Sequence, residues 1–385
     1  MGVNNNKVLF MKNIIVLGST GTVGKNVLEV VKERASEWKV LGIACRNNKD
    51  MFAEQIQEFK PEFAYIQDID NGYENRFKST KFFYGEDGLE ELVSVDNIDL
   101  VVYAIPGIST LNAFIYSIKK GQKVGLATKE IMVTAGPIVN ELIKKHNGEI
   151  LPIDSEHNAI FQALMGEDEN NVSNIYLTAS GGPFRGKNID NPTVEQVLSH
   201  PVWNMGKKIT VDSATMFNKA FELIEAHYLF SISPEKLNVL IHPEALIHGM
   251  VELLDGTIKG IFSMPDMKYP ITFIMDYPNR QTSKWEKIDF NRFSSLTLEP
   301  ANRNAKWFSL AIEAIEKKGS FPVVFNSANE EAVEGFLKGK IQFKDIISIT
   351  EQVLSTHSYK ENVTIKEIFE IDIWAKNKVN KLMEK

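Results

Sequence analysis

The sequence has one cysteine among 385 residues, no apolar run long enough to cross a membrane, and no excess of positive charge. The single Cys45 cannot form an intrachain disulfide, so we expect a reducing, cytoplasmic location. We expect no membrane association, because a span needs about 20 consecutive apolar residues. The formal net charge of −7 argues against a nucleic-acid or anionic-membrane partner.

Residues 13–150 alternate short apolar runs with amphipathic stretches. "NIIVLG" and "WKVLGIAC" have the composition of strands, and "GKNVLEVVKERA" between them has helical spacing. Such alternation predicts a parallel sheet covered on both faces. We therefore expect an α/β fold that begins with a Rossmann-like parallel-sheet N-terminal domain over residues 12–150, preceded by a loose extension over residues 1–11.

The rest of the chain changes character twice. Residues 151–275 are rich in Gly, Ser, His and Pro and contain strand-like segments such as "NIYLTAS", which predicts an α+β domain. Residues 276–304 have the composition of a linker. Residues 305–385 show three or four helical patterns and predict a C-terminal α-helical bundle.

A glycine-rich loop, "GSTGTVG" at residues 18–24, follows the first strand and opens the first helix. Glycines there allow a tight turn and close approach of a pyrophosphate to the helix N-terminus. The spacing G-x-x-G-x-x-G also suits an ordinary strand–helix turn. The second strand leads into Cys45, Arg46 and Asn47 without an acidic residue, which favours NADP over NAD. A solvated basic turn is the alternative.

The stretch "LPIDSEHNAIFQ" places Asp154 and Glu156 two residues apart after an apolar run. Two neighbouring carboxylates repel unless a cation or a proton lies between them, and oxygen ligands suit magnesium or manganese. A helix cap at Asp154 or Ser155 is the alternative. A helix beginning near Ala214 offers Asn218, Glu222 and Glu225 on one face, although such a face is usually only solvated.

Two loops suggest a substrate pocket. "TASGGPFRG" offers Ser180 and backbone N–H groups, which together with Ser213, Asn218 and Lys219 would form a phosphate pocket. "SHPVWNMGKK" lacks periodicity and carries an aromatic residue, so the loop at about 197–207 could close over a substrate. A Trp203 packed into the core beneath an ordinary loop is equally compatible with the sequence.

Several longer motifs together resemble one family, 1-deoxy-D-xylulose 5-phosphate reductoisomerase. They are "GSTGTVG", "TKE", "IDSEHNAIFQ", "TASGGPFRG", "HPVWNMGKKITVDSATMFNKAFELIEAH", "IHPEALIHGMVELLDG", "MPDMKYPI" and "NSANEEAVEGFLKGKIQF". They run from residue 13 to about residue 375. Thr128 and Ile131 depart from the residues usual in that family.

The resemblance implies a role for each matched residue. The metal ligands would be Asp154, Glu156 and Glu222, and these three with Lys129 and His157 would be the catalytic residues. Substrate would be bound by Ser155, Ser180, His200, Trp203, Ser213, Asn218, Lys219, His248 and Met267. NADPH would be contacted by Gly18, Thr20, Gly21, Thr22, Val23, Cys45, Arg46, Asn47, Thr128, Lys129, Glu130, Met205 and Gly206.

The resemblance also implies the reaction. The family converts 1-deoxy-D-xylulose 5-phosphate to 2-C-methyl-D-erythritol 4-phosphate in non-mevalonate isoprenoid biosynthesis, with NADPH and Mg²⁺ or Mn²⁺, and Co²⁺ as a further candidate. A homodimer is expected on the same ground. Another NADP-dependent aldehyde or homoserine dehydrogenase is one rival, although Cys45 is poorly placed for a semialdehyde dehydrogenase nucleophile. A non-catalytic NADP sensor is the other rival.

Overall fold

The computed structural model describes residues 11–68, 71–186, 189, 191–203 and 205–384. The predicted N-terminal extension, apart from Met11, lies outside the described residues, as does Asn204 of the predicted lid. The chain divides into two compact units. Unit 1 comprises the chain up to Ala127 with Leu142–Leu151 and Ile271–Thr282, and unit 2 comprises Thr128–Glu141, Pro152–Pro270 and Ser283–Lys385.

Unit 1 is built on a seven-stranded sheet in the order β4-β3-β2-β1-β5-β6-β7. Its strands are β1 (Lys12–Leu17), β2 (Trp38–Cys45), β3 (Phe63–Ile66), β4 (Lys81–Phe83), β5 (Leu100–Tyr103), β6 (Lys123–Leu126) and β7 (Glu149–Pro152). Neighbouring strands from β4 to β6 pair in parallel. The sheet confirms the Rossmann-like prediction, because strands buried on both faces are the continuous apolar runs of the sequence.

Helices connect these strands, as parallel pairing requires. They are α1 (Thr22–Glu33), α2 (Lys49–Phe59), α3 (Asn71–Arg76), α4 (Gly88–Val93) and α5 (Leu111–Lys119). Helices α6 (Lys129–His146) and α11 (Lys268–Asp276) each contribute residues to both units. In unit 1, the buried Arg34 of the turn after α1 donates a 2.8 Å hydrogen bond to Asp276 of α11.

Unit 2 contains a five-stranded sheet in the order β11-β10-β8-β9-β12. Its strands are β8 (Val172–Ala179), β9 (Leu237–Ile241), β10 (Ile247–Leu253), β11 (Ile258–Phe262) and β12 (Glu299–Pro300). The pairs are antiparallel except β8 with β9. This mixed sheet, with the helices around it, is the predicted α+β part of the fold. Strand β12 lies within the segment predicted as a linker.

The remaining helices belong to unit 2. They are α7 (Ser155–Leu164), α8 (Val194–Leu198), α9 (Lys207–Thr215), α10 (Phe217–Phe230), α12 (Lys306–Lys317), α13 (Ser320–Leu337), α14 (Asp345–Thr356) and α15 (Ile365–Met383), with 3₁₀ turns at Glu169–Asn171, Pro234–Lys236 and Phe290–Arg292. Val324, Val333, Phe336, Ile346 and Val379 form part of one buried cluster. The predicted C-terminal helical bundle is therefore confirmed. No helix among the described residues combines the length and apolar character needed to cross a bilayer.

Candidate active site

The first two carboxylates of the site lie at the start of α7. Asp154 is the N-cap of this helix, and its Oδ1 accepts a 3.1 Å hydrogen bond from the backbone N–H of Ser155. Glu156 follows in the first turn. The cap and the carboxylate pair, which the sequence presented as alternatives, therefore coexist, because one helix end directs both side chains to the same side.

The third carboxylate comes from α10. A helix was predicted to begin near Ala214, but the structure ends α9 at Thr215 and starts α10 at Phe217, with Met216 between them in a left-handed conformation at φ 63°. This break separates Ser213 from the helix that carries Asn218, Lys219 and Glu222. Oxygen atoms of Asp154, Glu156 and Glu222 all lie within 4.8 Å of one another.

Two lysines lie between these carboxylates. The ammonium of Lys129, at the start of α6, lies 2.5 Å from Asp154 Oδ2 and 3.1 Å from Glu222 Oε1. Lys219 lies 2.7 Å from Glu156 Oε1 and also contacts Glu222. Asn218 accepts a 2.8 Å hydrogen bond from Lys129 and donates to Glu222. The result is a buried network of three acids and two bases in unit 2, called here the carboxylate cluster.

Burial and charge shift the pKa values in this cluster in opposite directions. Burial, together with the Glu156 carboxylate, raises the pKa of Glu222 to about 7. Burial opposes ionisation of Asp154 and Glu156 too, but Lys129 and Lys219 outweigh it and lower both pKa values. Burial lowers the pKa of Lys129, whereas the Asp154 and Glu222 carboxylates outweigh it and raise that pKa well above its ordinary value.

His157 lies behind the cluster and is fully buried. Its Nε2 is 2.9 Å from the backbone carbonyl of Glu222, which can only accept, so Nε2 carries the hydrogen. Its Nδ1 is 3.4 Å from Glu225 Oε2. Burial raises the pKa of Glu225 to about 7. His157 thus links α7 to α10, and Glu225, which the sequence placed on the same helix face as Asn218 and Glu222, lies beside His157.

A second group of polar residues lies around Ser180. Its hydroxyl is 3.2 Å from His200 Nε2. Gly182 has a φ of +69°, and a Cβ there would lie 2.9 Å from the carbonyl oxygen of Ser213. Glycine at 182 therefore lets the turn after β8 approach the end of α9 closely. Lys219 also donates a 2.6 Å hydrogen bond to the carbonyl of Thr178, so the carboxylate cluster adjoins β8.

The predicted lid residues occupy the segment before α9. The Nδ1 of His200 accepts a 2.9 Å hydrogen bond from the backbone N–H of Trp203. The Trp203 ring lies edge-on to His248, with 6.1 Å between ring centroids. Met205 and Met267 are half-buried, and Gly206 is the exposed N-cap of α9. Trp203 is half-buried too, so it is not a fully packed core residue.

The glycine loop of unit 1 connects β1 to α1. Gly18 has a φ of +90°, and a Cβ on Gly24 would lie only 2.2 Å from the Gly18 carbonyl oxygen. The hydroxyl oxygen of Thr20 lies 3.3 Å from Cys45 Sγ. Arg46 and Asn47, which follow β2, are exposed. Gly21, Thr22 and Val23 complete the turn into α1. The loop brings a helix N-terminus and backbone N–H groups to the carboxyl ends of β1 and β2, where nucleotide phosphates bind in doubly wound folds.

Glu130 and Thr128 flank Lys129 and are both buried. The ammonium of Lys208 lies 3.1 Å from Glu130 Oε1. Burial raises the pKa of Glu130, but Lys208, a backbone hydrogen bond and Lys129 together outweigh burial and lower that pKa. The sequence pattern assigned no role to Lys208. The signal available was its place four residues before Asp212 on α9, where an ion pair between them is geometrically favoured.

Comparison with known proteins identifies the family of the chain. Models described as 1-deoxy-D-xylulose 5-phosphate reductoisomerase match residues 14–136, and models of its C-terminal domains match residues 150–230 and 262–378. The relative from Thermoanaerobacter pseudethanolicus is 42% identical over 96% of this chain and 99% of its own length. The relative from Thermodesulfovibrio yellowstonii is 40% identical over 96% and 99%.

Solved structures agree with these matches. The Zymomonas mobilis reductoisomerase in complex with NADPH has 35% identity and a TM-score of 0.88, covering 98% of this chain and 100% of that chain. A reductoisomerase in complex with NADPH, fosmidomycin and magnesium has 30% identity and a TM-score of 0.89, covering 97% and 98%. Sequence and structure thus match over nearly the full length, and the chain belongs to the 1-deoxy-D-xylulose 5-phosphate reductoisomerase family.

Proposed function

We propose that this protein converts 1-deoxy-D-xylulose 5-phosphate to 2-C-methyl-D-erythritol 4-phosphate with NADPH and a divalent metal, Mg²⁺ or Mn²⁺ and with Co²⁺ as a further candidate. The observation that carries the proposal is the carboxylate cluster, in which three acids from two helices converge beside a serine-, asparagine- and lysine-rich pocket. The domain roles expected from the sequence go with it: cofactor binding by residues 12–150, catalysis by 151–275 and a helical domain over 305–385.

The donor set fits a hard divalent cation. Asp154, Glu156 and Glu222 offer only oxygen atoms, and Glu222 is fully buried where its charge lacks water. With all five groups ionised, three carboxylates against two ammonium groups leave one negative charge. These three residues would bind the metal. When bound, the ion supplies Lewis acidity toward the ketone and hydroxyl oxygens of the sugar phosphate.

The two lysines of the cluster would first compensate the buried carboxylates and then bind the substrate. Lys129 and Lys219 compensate the buried carboxylates by direct ion pairs. Once a cation takes over that compensation, their N–H groups are available to the oxygens of an anionic substrate. Asn218, which bonds to both Lys129 and Glu222, orients the pair. Ser155, whose hydroxyl donates to Glu156 at 2.6 Å, lies at the edge of the same cluster.

Phosphate binding is assigned to the pocket around Ser180. Ser180, His200, Ser213, Asn218 and Lys219 would supply neutral donors and a cation, which suits a phosphate dianion. Trp203, His248 and Met267 would cover the carbon skeleton and exclude water. His157, bonded to the Glu222 backbone, would keep α7 and α10 in register rather than meet the substrate.

The loop from Gly18 to Gly24 suits a nucleotide pyrophosphate, because glycine at positions 18 and 24 lets the backbone turn tightly from β1 into the N-terminus of α1. Arg46 would pair with the 2′-phosphate, and Thr20, Gly21, Thr22, Val23, Cys45 and Asn47 would line the same end of unit 1. When bound, NADPH supplies the hydride. The cofactor contacts expected at Thr128, Lys129, Glu130, Met205 and Gly206 stay predictions from the resemblance.

Product analysis tests the proposal. The protein is incubated with 1-deoxy-D-xylulose 5-phosphate, magnesium and NADPH that carries deuterium at the transferred position. We expect 2-C-methyl-D-erythritol 4-phosphate with one deuterium on the new primary alcohol carbon, because the rearrangement creates an aldehyde that hydride then reduces. A straight-chain reduction product would instead indicate a carbonyl reductase that does not rearrange its substrate.

Assembly and location complete the proposal. We expect a homodimer, as the resemblance implies, and sedimentation of the purified protein distinguishes a mass of two chains from one. A cytoplasmic location is expected because the lone Cys45 is buried and needs no oxidising environment.

A further inference from the structure

Lys208 lies between two buried carboxylates that belong to different segments of the site. Its ammonium is 3.1 Å from Glu130 Oε1 and 2.9 Å from Asp212 Oδ2, and it lies 5.2 Å from the centroid of the Phe221 ring. The Lys208 side chain is 21% exposed, whereas those of Glu130 and Asp212 are 6% and 2% exposed. These three residues are called here the Lys208 bridge.

Each carboxylate of the bridge is the sequence neighbour of a residue proposed to meet ligand. Glu130 follows Lys129, whose ammonium contacts Asp154, Asn218 and Glu222. Asp212 precedes Ser213 on α9, and Ser213 lies two residues before the end of that helix. The other oxygen of Asp212 accepts a 2.8 Å hydrogen bond from Asn329 of α13, so this carboxylate is fixed from two sides.

Stability alone does not account for such a bridge. Desolvation of buried ion pairs roughly cancels their attraction, and apolar replacements are often equally stable. What the bridge does supply is a fixed distance between the first turn of α6 and α9. Burial lowers the pKa of Lys208, but Asp212 and Glu130 outweigh it, and Glu330 adds to them. Lys208 is therefore held in its charged form.

We propose that Lys208 is a positioning residue that keeps Lys129 and Ser213 in register by bridging Glu130 and Asp212. It acts through the segments that carry Lys129 and Ser213, by its contacts to Glu130 and Asp212. A displacement of a binding group by about 1 Å costs on the order of 100-fold in rate, so a small shift of α9 against α6 is enough to matter. The inference rests on the proposed function, because Lys129 and Ser213 are assigned there.

Steady-state kinetics on three variants test the bridge. Lys208→Met removes the bridging charge. Asp212→Asn keeps the shape and the hydrogen bond from Asn329 but removes the charge on the Ser213 side. Lys306→Met is the control. It breaks an exposed ion pair in the same unit, in which the Lys306 ammonium lies 2.5 Å from Glu351 Oε1. Thermal unfolding of each variant establishes that the protein is folded.

The expected pattern separates positioning from general damage. Lys208→Met should lower kcat/KM for the sugar phosphate by about 10- to 100-fold. Asp212→Asn should raise the KM for the sugar phosphate by about 3- to 10-fold while the KM for NADPH stays unchanged. Lys306→Met should match the unaltered protein. Wild-type kinetics in a folded Lys208→Met protein, or in Asp212→Asn, would overturn the inference.

A binding measurement tests the role of the Lys208 bridge independently of the proposed function. If the unaltered protein does not turn over the sugar phosphate, the proposed function fails, and calorimetric titration with inorganic phosphate decides about the bridge. A Kd about tenfold weaker in Asp212→Asn than in Lys306→Met supports it. Equal affinities, or no phosphate binding by the unaltered protein, contradict it.

Discussion

Glu222 is completely buried and yet ionisable, and its carboxylate meets two ammonium groups and an amide. A surface acid would be solvated, whereas protein groups alone compensate the charge of this one. Glu222 has its pKa raised to about 7 by burial and by the nearby Glu156. A site that concentrates negative charge where water is excluded favours a cation, and this is the residue-scale basis of the metal proposal.

The first prediction concerns that residue. Glu222→Gln keeps the shape of the side chain but removes the charge of a proposed metal ligand. We expect metal-dependent NADPH oxidation to fall by about 100-fold or more, since even residues that only support a ligand contribute 10- to 100-fold. Circular dichroism should show a folded protein. Glu169→Gln, at an exposed position on a 3₁₀ turn, is the control and should retain full activity.

The second prediction concerns Ser180. Ser180→Ala removes the hydroxyl that lies 3.2 Å from His200 and that we assign to the phosphate. A hydrogen bond to a charged group contributes about 1.5–3 kcal/mol, so the KM for the sugar phosphate should rise by roughly 10-fold or more. The KM for NADPH should stay the same. Ser309→Ala, which loses an exposed hydroxyl on α12, should change neither; an unchanged KM in Ser180→Ala would remove this residue from the pocket.

At the scale of elements, the turn between β1 and α1 requires glycine for contact reasons. The third prediction is that Gly24→Ala destabilises unit 1, because the new Cβ would lie 2.2 Å from the Gly18 carbonyl oxygen. We expect a loss of about 1–3 kcal/mol in unfolding free energy, typical of overpacking, and weaker NADPH binding by titration. Gly260→Ala is milder, since its Cβ meets the flexible Met250 side chain at 3.2 Å and the Phe262 ring at an ordinary contact distance of 3.6 Å. Equal effects of the two substitutions would refute the argument.

The fourth prediction concerns the start of α15 and affects stability but not catalysis. Thr364 and Glu367 form a capping box: Thr364 Oγ1 accepts from the Glu367 backbone, and Glu367 Oε2 accepts from the Thr364 backbone. Thr364→Ala should lower the free energy of unfolding by about 1 kcal/mol in urea titrations, while kcat and KM stay unchanged. Thr364→Ser keeps the cap and should behave like the unaltered protein. A change in kcat would mean that α15 has a role in the site.

The break between α9 and α10 shows where sequence patterns stop being informative. Met216 adopts a left-handed conformation that side chains other than glycine or asparagine rarely adopt, and no Gly or Pro marks the position. The pattern therefore predicted one helix from Ala214. Strand β10, with the sequence "IHGMVEL", was not predicted either.

For the whole molecule, the parallel sheet was predictable because β1, β2 and β5 are almost entirely apolar and the alternation with helices is regular. The pairing of Asp154 with Glu156 was also predictable, since their spacing is local, whereas Glu222 entered as the third acid only through the family resemblance. The ion pairs were not predictable. Lys129 meets Glu222 across 93 residues of sequence, and Lys208 meets Glu130 across 78. Such pairs depend on how helices pack, which a residue pattern does not encode.

We propose that the carboxylate cluster binds the metal on which turnover depends. The decisive measurement is NADPH absorbance after addition of 1-deoxy-D-xylulose 5-phosphate, first with magnesium or manganese, then with excess chelator, then with metal restored. We predict consumption that needs both sugar phosphate and metal, stops with chelator and resumes on restoration. Consumption that continues at the same rate in chelator, from protein free of bound metal, would contradict the account.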